Sequence, residues 1–219
     1  MRNYISERVS NSTNYFNFSG IDVYIDDDIE NDLDPKKILV AIEKRLPRSF
    51  FRKLESIHLG NYEKFKERQI DAIYDDNKLY ISNQQDNYED LLDDVIHEIG
   101  HHVETLYIED VYGDEEIKKE FLNKRSQLEF ELRSEGLWTT EYDFKNVKFD
   151  MSFDDFLYKR VGKRLLGMVT SGIFIRPYAS VSLREYFATG FEAYYLNDKD
   201  VLSRISPALY KKIDHLNTL

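Results

Sequence analysis

Apolar residues recur at intervals of three and four from Tyr88 to Leu106, and this periodicity constrains the fold more than any other feature of the chain. It predicts one long amphipathic helix, because such spacing places side chains on a single helical face. His97 and His101 fall on the opposite, polar face, where a histidine that merely fills a core is not expected. The apolar set consists of Leu92, Val95, Ile96, Ile99, Val103 and Leu106.

The rest of the pattern predicts a mostly helical α+β fold with a small sheet in the first third of the chain. Alternating apolar residues indicate strands at 21–25, 57–59, 72–74 and 79–82. Capping residues and apolar spacing predict further helices that begin near Asp34, Asp114, Ser152, Ser182 and Ser206.

The chain has 219 residues, which is enough for one well-buried core, so we expect a single domain over 1–219. Residues 1–19 are polar and aperiodic and are expected to form an irregular N-terminal arm. The first residues lack the apolar core of a signal peptide, and no apolar run approaches the length of a membrane span. We therefore expect a cytoplasmic protein.

Charge and composition restrict the partners. The formal net charge is -11 and the pI is about 5.0, without a separate basic cluster, which argues against nucleic acid and against an anionic membrane as partners. The chain has no cysteine, so a metal ion could be held only by histidine and carboxylate ligands. Nothing in the sequence fixes the oligomeric state.

The segment 93–104 reads DDVIHEIGHHVE and contains an HExxH motif, formed by His97, Glu98 and His101. Two histidines four apart on a helix can direct imidazole nitrogens to one metal ion, and the glutamate between them projects beside that ion. Glu98 could then take a proton from a water molecule at the metal. The alternative is an ordinary polar helix face. His102 is expected to be a flanking or supporting residue.

A catalytic zinc ion needs a third protein ligand. The metzincin pattern would require glycine at 104 and histidine at 107, whereas this chain has Glu104 and Tyr107, so that class is excluded. The third ligand must come from elsewhere in the chain, and spacing alone leaves six candidates open: Glu129, Glu131, Glu135, Glu185, Glu192 and His215.

The segment 177–197 reads PYASVSLREYFATGFEAYYLN. It resembles the C-terminal part of gluzincin metallopeptidases of the anthrax lethal factor and Pro-Pro endopeptidase type. In those proteins a helix reading roughly E-F/Y-F-A-x-x-F supplies a glutamate ligand, and a tyrosine seven residues earlier faces the metal. Here Glu185 opens EYFATGF and Tyr178 stands seven residues before it. The resemblance also covers HEIGHHVE and, more loosely, the ending ISPALYKKI.

The resemblance implies a zincin-like metallopeptidase domain that binds Zn2+. By it, His97, His101 and Glu185 are the zinc ligands and Glu98 is the general base. Tyr178 is then the hydroxyl that stabilises the oxyanion of the tetrahedral intermediate.

The chain departs from that family in two places. Thr189 stands where the relatives commonly carry an acidic residue, and the long interval between the zinc helix and Glu185 predicts a helical insertion over 107–150. Glu185 also has a second interpretation, since Ser182 and Glu185 have the spacing of a capping box, in which the glutamate turns back to the helix start. Glu192 is then the reserve ligand.

The function that we expect is a zinc-dependent endopeptidase acting on a protein or peptide substrate. Strand 79–82 is expected to lie at the sheet edge and to pair with extended substrate. One alternative is a regulatory intracellular peptidase of the HEIGH type, although the acid-rich motif expected after the zinc helix does not appear. The other is a zinc-stabilised structural or binding module without catalysis.

Overall fold

The computed structural model describes residues 14–29, 33–63, 65, 70–196 and 198–219 of the chain. The chain packs as two compact units, residues 1–106 and residues 107–219. It is mostly helical with one small sheet, which confirms the predicted α+β class. The single domain over 1–219 and the insertion over 107–150 stay predictions. Within the described residues, none of the helices has the length and apolar character that crossing a bilayer requires.

The first unit contains a five-stranded sheet with the order β1-β2-β3-β5-β4. The central strands β2, β3 and β5 run parallel, and the outer strands β1 and β4 pair antiparallel to their neighbours. The strands are β1 (Asn14–Phe18), β2 (Ile21–Ile25), β3 (Ser56–Gly60), β4 (Ala72–Asp75) and β5 (Lys78–Ser82).

The irregular arm expected over 1–19 is wrong at its end, because β1 occupies 14–18 and pairs with β2. Most of β1 is exposed or half-buried, so it carries no alternation of buried and exposed side chains that a sequence pattern could reveal. Residues 1–13 lie outside the described part of the chain.

The edge position expected for strand 79–82 is also wrong, because β5 lies between β3 and β4. The hairpin through Asp76 and Asn77 folds β4 onto the outer side of β5. Both turn residues have positive φ, 48° and 61°, a conformation that Asp and Asn tolerate better than most residues. The outer strand on this side of the sheet is therefore β4.

The helices of the first unit begin where the sequence predicts. Helix α1 (Pro35–Glu43) starts after Asp34, whose side chain accepts a hydrogen bond of 3.0 Å from the backbone N–H of Lys36. Helix α2 (Tyr88–Leu106) has the predicted bounds and packs against α1, β4, β5 and a 3-10 turn at Arg48–Phe51. Its inner face buries Leu92, Val95, Ile96, Ile99 and Val103.

The second unit is helical in its described residues. One helix expected from Ser152 onward is divided by a π-helical segment, Phe156–Gly162, which ends at Gly162 with φ of 82°. The α-helices are α3 (Ile108–Tyr112), α4 (Glu116–Ser134), α5 (Met151–Asp155), α6 (Lys163–Thr170), α7 (Leu183–Tyr195), α8 (Lys199–Ile205) and α9 (Pro207–Leu216), and a 3-10 turn spans Pro177–Ser180.

Candidate metal centre

The candidate centre is a cluster of three side chains on α2, those of His97, Glu98 and His101. Each offers one potential ligand atom, and these atoms all lie within 4.8 Å of one another. The two imidazole rings have centroids 5.0 Å apart and meet at 83°. Residues four apart on a helix lie one turn apart on nearly the same face, which accounts for this convergence by local geometry. The three groups could hold one metal ion.

Burial distinguishes the members of this cluster. His97 is half-buried, whereas Glu98 and His101 are only 7% and 6% exposed. Charges interact more strongly where water is excluded, so a cation at this position would be attracted more than at an open surface. The cluster therefore lies at the boundary between the core side and the accessible side of α2.

Glu104 is a residue of this site that sequence reasoning missed. Its Oε2 lies 3.7 Å from Nδ1 of His101, and both side chains are buried. A carboxylate beside one ring nitrogen favours the N–H form of that nitrogen and leaves the other nitrogen free to ligate a metal. The spacing of His101 and Glu104, three apart on a helix, was the signal that could have revealed the pair.

Asp94 lies one turn before His97 on the same helix. Burial raises its pKa to about 7, and the charges of Asp71 and Glu98 add to this rise. Two groups oppose the rise: Gln85, whose Nε2 donates a hydrogen bond of 2.9 Å to the carboxylate, and His97. Asp94 is therefore an acidic neighbour of the cluster that takes up a proton near neutral pH.

His102 supports the first unit and is not a member of the cluster. Its Nε2 donates a hydrogen bond of 2.9 Å to the carbonyl oxygen of Arg52, and its Nδ1 lies 3.4 Å from the hydroxyl of Tyr74. A carbonyl oxygen can only accept, so the proton must sit on Nε2. Burial lowers the pKa of this imidazole, which is consistent with a neutral ring that fastens α2 to its neighbours.

Glu185 and Tyr178 belong to the second unit. Glu185 is half-buried in the first turn of α7, and its backbone N–H donates to Oγ of Ser182 at 3.1 Å, so Ser182 is the N-cap. Tyr178 lies on the 3-10 turn and is 37% exposed. The cluster on α2 contains neither residue, and their roles as ligand and oxyanion donor stay predictions.

Two further polar side chains lie near this pair and were not anticipated. The ring of Tyr158, in the π-helical segment, has its centroid 6.3 Å from that of Tyr178. Burial raises the pKa of Tyr158 to about 12, and the charges of Asp154 and Glu185 contribute. Glu185 and Tyr178 are thus accompanied by another phenol and another carboxylate.

Two alternative ligand candidates are occupied by cations. The buried carboxylate of Glu192 forms an ion pair with Arg176, and Glu129 lies 2.5 Å from Arg133. A carboxylate that is already neutralised by a guanidinium is less available to a metal ion. Within the described part of the chain, no cluster of three potential ligands includes the remaining candidates, which are Glu131, Glu135 and His215.

Thr189 stands where the resembled family commonly carries an acid. It is 2% exposed, and its hydroxyl oxygen has no hydrogen-bond partner among the residues that the structure describes. Thr189 therefore does not replace the carboxylate that supports a metal ligand in that family.

No known protein family, curated protein or solved structure matches this chain. The gluzincin resemblance therefore rests on the two short motifs around His97 and Glu185.

The residues that are brought together are compatible with zinc. His97 and His101 offer two imidazole nitrogens beside the carboxylate of Glu98, and imidazole is a ligand that suits zinc and other late first-row metals. No thiolate is available, because the chain has no cysteine. The carboxylate of Glu104 beside His101 adds the kind of orienting group that metal-binding histidines commonly have.

Proposed function

We propose that this protein is a zinc-dependent endopeptidase with a zincin-like fold. The observation that supports this best is the grouping of His97, Glu98 and His101 on one helix, with their potential ligand atoms within 4.8 Å of one another. A bound zinc ion would act as a Lewis acid that lowers the pKa of water and polarises the peptide carbonyl.

The side chains at this site would have different roles. His97 and His101 would hold the metal, with Glu104 orienting the His101 ring. Glu98 would accept a proton from the attacking water and pass it to the amine that leaves, which is general acid–base catalysis at a buried carboxylate.

The roles proposed for Glu185 and Tyr178 rest on the family resemblance alone. Glu185 would be the third ligand, and the hydroxyl of Tyr178 would donate to the oxyanion. The exposure of Tyr178 and the half-buried position of Glu185 are compatible with contact to a substrate and a metal ion.

The test is a Glu98→Gln variant in the zinc-loaded protein, assayed on a peptide library and on a cell-lysate proteome with N-terminal labelling. Because the amide cannot take a proton, we expect hydrolysis to fall by about 10²- to 10⁴-fold while zinc remains bound. Glu89→Gln, an exposed glutamate on the same helix, is the matched control and should cut like the wild type. Stoichiometric zinc with no cleavage by any variant would refute the peptidase.

The second candidate is a zinc-stabilised structural module, which is favoured by the burial of Glu98 and His101. A ligand that binds only the folded state raises the melting temperature with its concentration. In this case zinc would stabilise wild type and Glu98→Gln alike, and neither would cut peptides.

A further inference from the structure

Two neighbouring cations on α4, Lys124 and Arg125, lie buried inside the second unit. Arg125 is 1% exposed and is among the largest fully buried side chains of the protein. Burying a guanidinium is unfavourable unless its N–H groups find partners, so the partners of these two residues indicate what the burial secures.

Arg125 binds backbone carbonyl oxygens from two segments. One terminal nitrogen donates to Ser180 at 2.5 Å and to Val181 at 3.2 Å. The other donates to Asp143 and Asn146, each at 3.4 Å. The guanidinium thereby joins the loop at 143–146 to the chain that leads into α7.

Aromatic rings fix the plane of this guanidinium. Its central carbon lies 3.9 Å from the centroid of the Phe153 ring and 5.6 Å from that of Phe144. Its Nε has no hydrogen-bond partner in the described residues, so its hydrogen bonds run through the two terminal nitrogens. Burial lowers the pKa of Arg125 only to about 10, which leaves it charged at neutral pH.

The segment that Arg125 holds is the one that separates Tyr178 from Glu185. Ser180 and Val181 stand two and three residues after Tyr178, and Ser182 then caps the helix that carries Glu185. A second tie acts in the same place, since the backbone N–H of Leu183 donates to the carbonyl of Val147 at 2.9 Å.

We infer that Arg125 is a positioning residue that fixes the spacing and orientation of Tyr178 and Glu185. This inference rests on the proposed function, in which those two side chains serve a zinc site. Arginine suits the task because its planar fork presents two nitrogens to two pairs of carbonyls, whereas a lysine offers a single nitrogen.

Lys124 provides a matched control on the same helix. It is also buried, but its ammonium donates to the carbonyls of Ile173 and Ile205, at 2.5 and 2.6 Å, which lie outside the link between Tyr178 and Glu185. Removing its charge should cost stability without moving that link.

The test measures metal binding in the full chain for Arg125→Lys, Lys124→Met and Glu185→Gln, each shown to be folded. Zinc affinity is taken from competition with a chromophoric chelator, and the absorption spectrum of the Co2+-loaded protein reports the ligand geometry. We expect Arg125→Lys to weaken zinc binding about 10-fold or more and to shift the Co2+ spectrum towards that of Glu185→Gln. Lys124→Met should change neither. Adding Arg125→Lys to Glu185→Gln should produce no further loss.

Two results would overturn the inference in distinguishable ways. If Glu185→Gln weakens zinc binding and folded Arg125→Lys does not, Arg125 is only structural and the proposed zinc site stands. If Glu185→Gln leaves zinc affinity unchanged, the ligand assignment is wrong and the inference falls with it. Phe153→Leu, which removes the ring against the guanidinium, serves if Arg125→Lys does not fold, and it should shift zinc affinity in the same direction.

Discussion

The two units organise their candidate site residues in different ways. In the first unit, His97, Glu98 and His101 lie within two turns of one helix, and their approach follows from helix geometry. In the second unit, Tyr178 and Glu185 lie on a 3-10 turn and a helix start whose connection is held by Arg125, far away in sequence. A local site is fixed once its helix forms, whereas the second arrangement depends on long-range contacts.

The largest effect is expected for Tyr178→Phe, which tests whether the second unit supplies the oxyanion donor. Loss of one oxyanion donor should lower kcat by about 10²- to 10³-fold, because the hydroxyl acts in the transition state, while zinc affinity stays unchanged. The measurement uses the peptide that the wild-type protein selects from the library. Tyr210→Phe, on α9 of the same unit, is the control. Equal rates for Tyr178→Phe and the wild type would show that the Tyr178 hydroxyl takes no part in the chemistry.

Next in size is Glu104→Gln, which tests whether the local site has its own support. A neutral amide beside His101 orients the ring less strongly, so zinc affinity should fall by about 10- to 100-fold. Chelator competition measures the change, with Glu89→Gln as the control on the same helix. An unchanged zinc affinity would show that the His101 imidazole does not need Glu104 to orient it.

The smallest effect concerns pH and Asp94 in the zinc-free protein. The folded pKa of Asp94 is about 7, above the ordinary 3.8. Between these two pH values the folded state therefore holds a proton that the unfolded state has lost. Stability from this group is therefore full below pH 3.8 and declines as pH rises towards 7. Asp94→Asn should remove this loss and raise the free energy of unfolding at pH 8 by about 1 to 2 kcal/mol, since partial exposure screens the carboxylate.

Denaturant titrations of wild type and Asp94→Asn, in the presence of a chelator, measure that difference at pH 5 and at pH 8. The gap between the two proteins should widen from the lower pH to the higher. A constant gap would mean that Asp94 keeps its ordinary pKa.

The same contrast between local and long-range order explains how much could be predicted from sequence. The bounds of α2 and the caps at Asp34 and Ser182 follow from periodicity and from hydrogen bonds between near neighbours, and these predictions are confirmed. The interior position of β5 also depends on its parallel pairing with β3, which lies far from it in sequence and which no local pattern encodes.

The burial of polar side chains is the other feature that could not be predicted from the sequence. A Lys-Arg pair within a polar stretch, such as Lys124 and Arg125, usually indicates a solvent-exposed face, yet here the two cations serve carbonyl oxygens in the interior. Glu104 is a departure from the metzincin pattern, and its spacing of three from His101 is also that of an interacting pair on a helix.

The central claim is that His97 and His101 bind one metal ion beside a free Glu98. A crystal structure of the zinc-loaded protein, with anomalous data at the zinc edge, tests it most directly. We predict one zinc ion about 2.0 to 2.1 Å from a nitrogen of each imidazole, with Glu185 as the third ligand and Glu98 outside the coordination sphere. A zinc ion bound through Glu98, or no zinc ion at these histidines, would contradict the account.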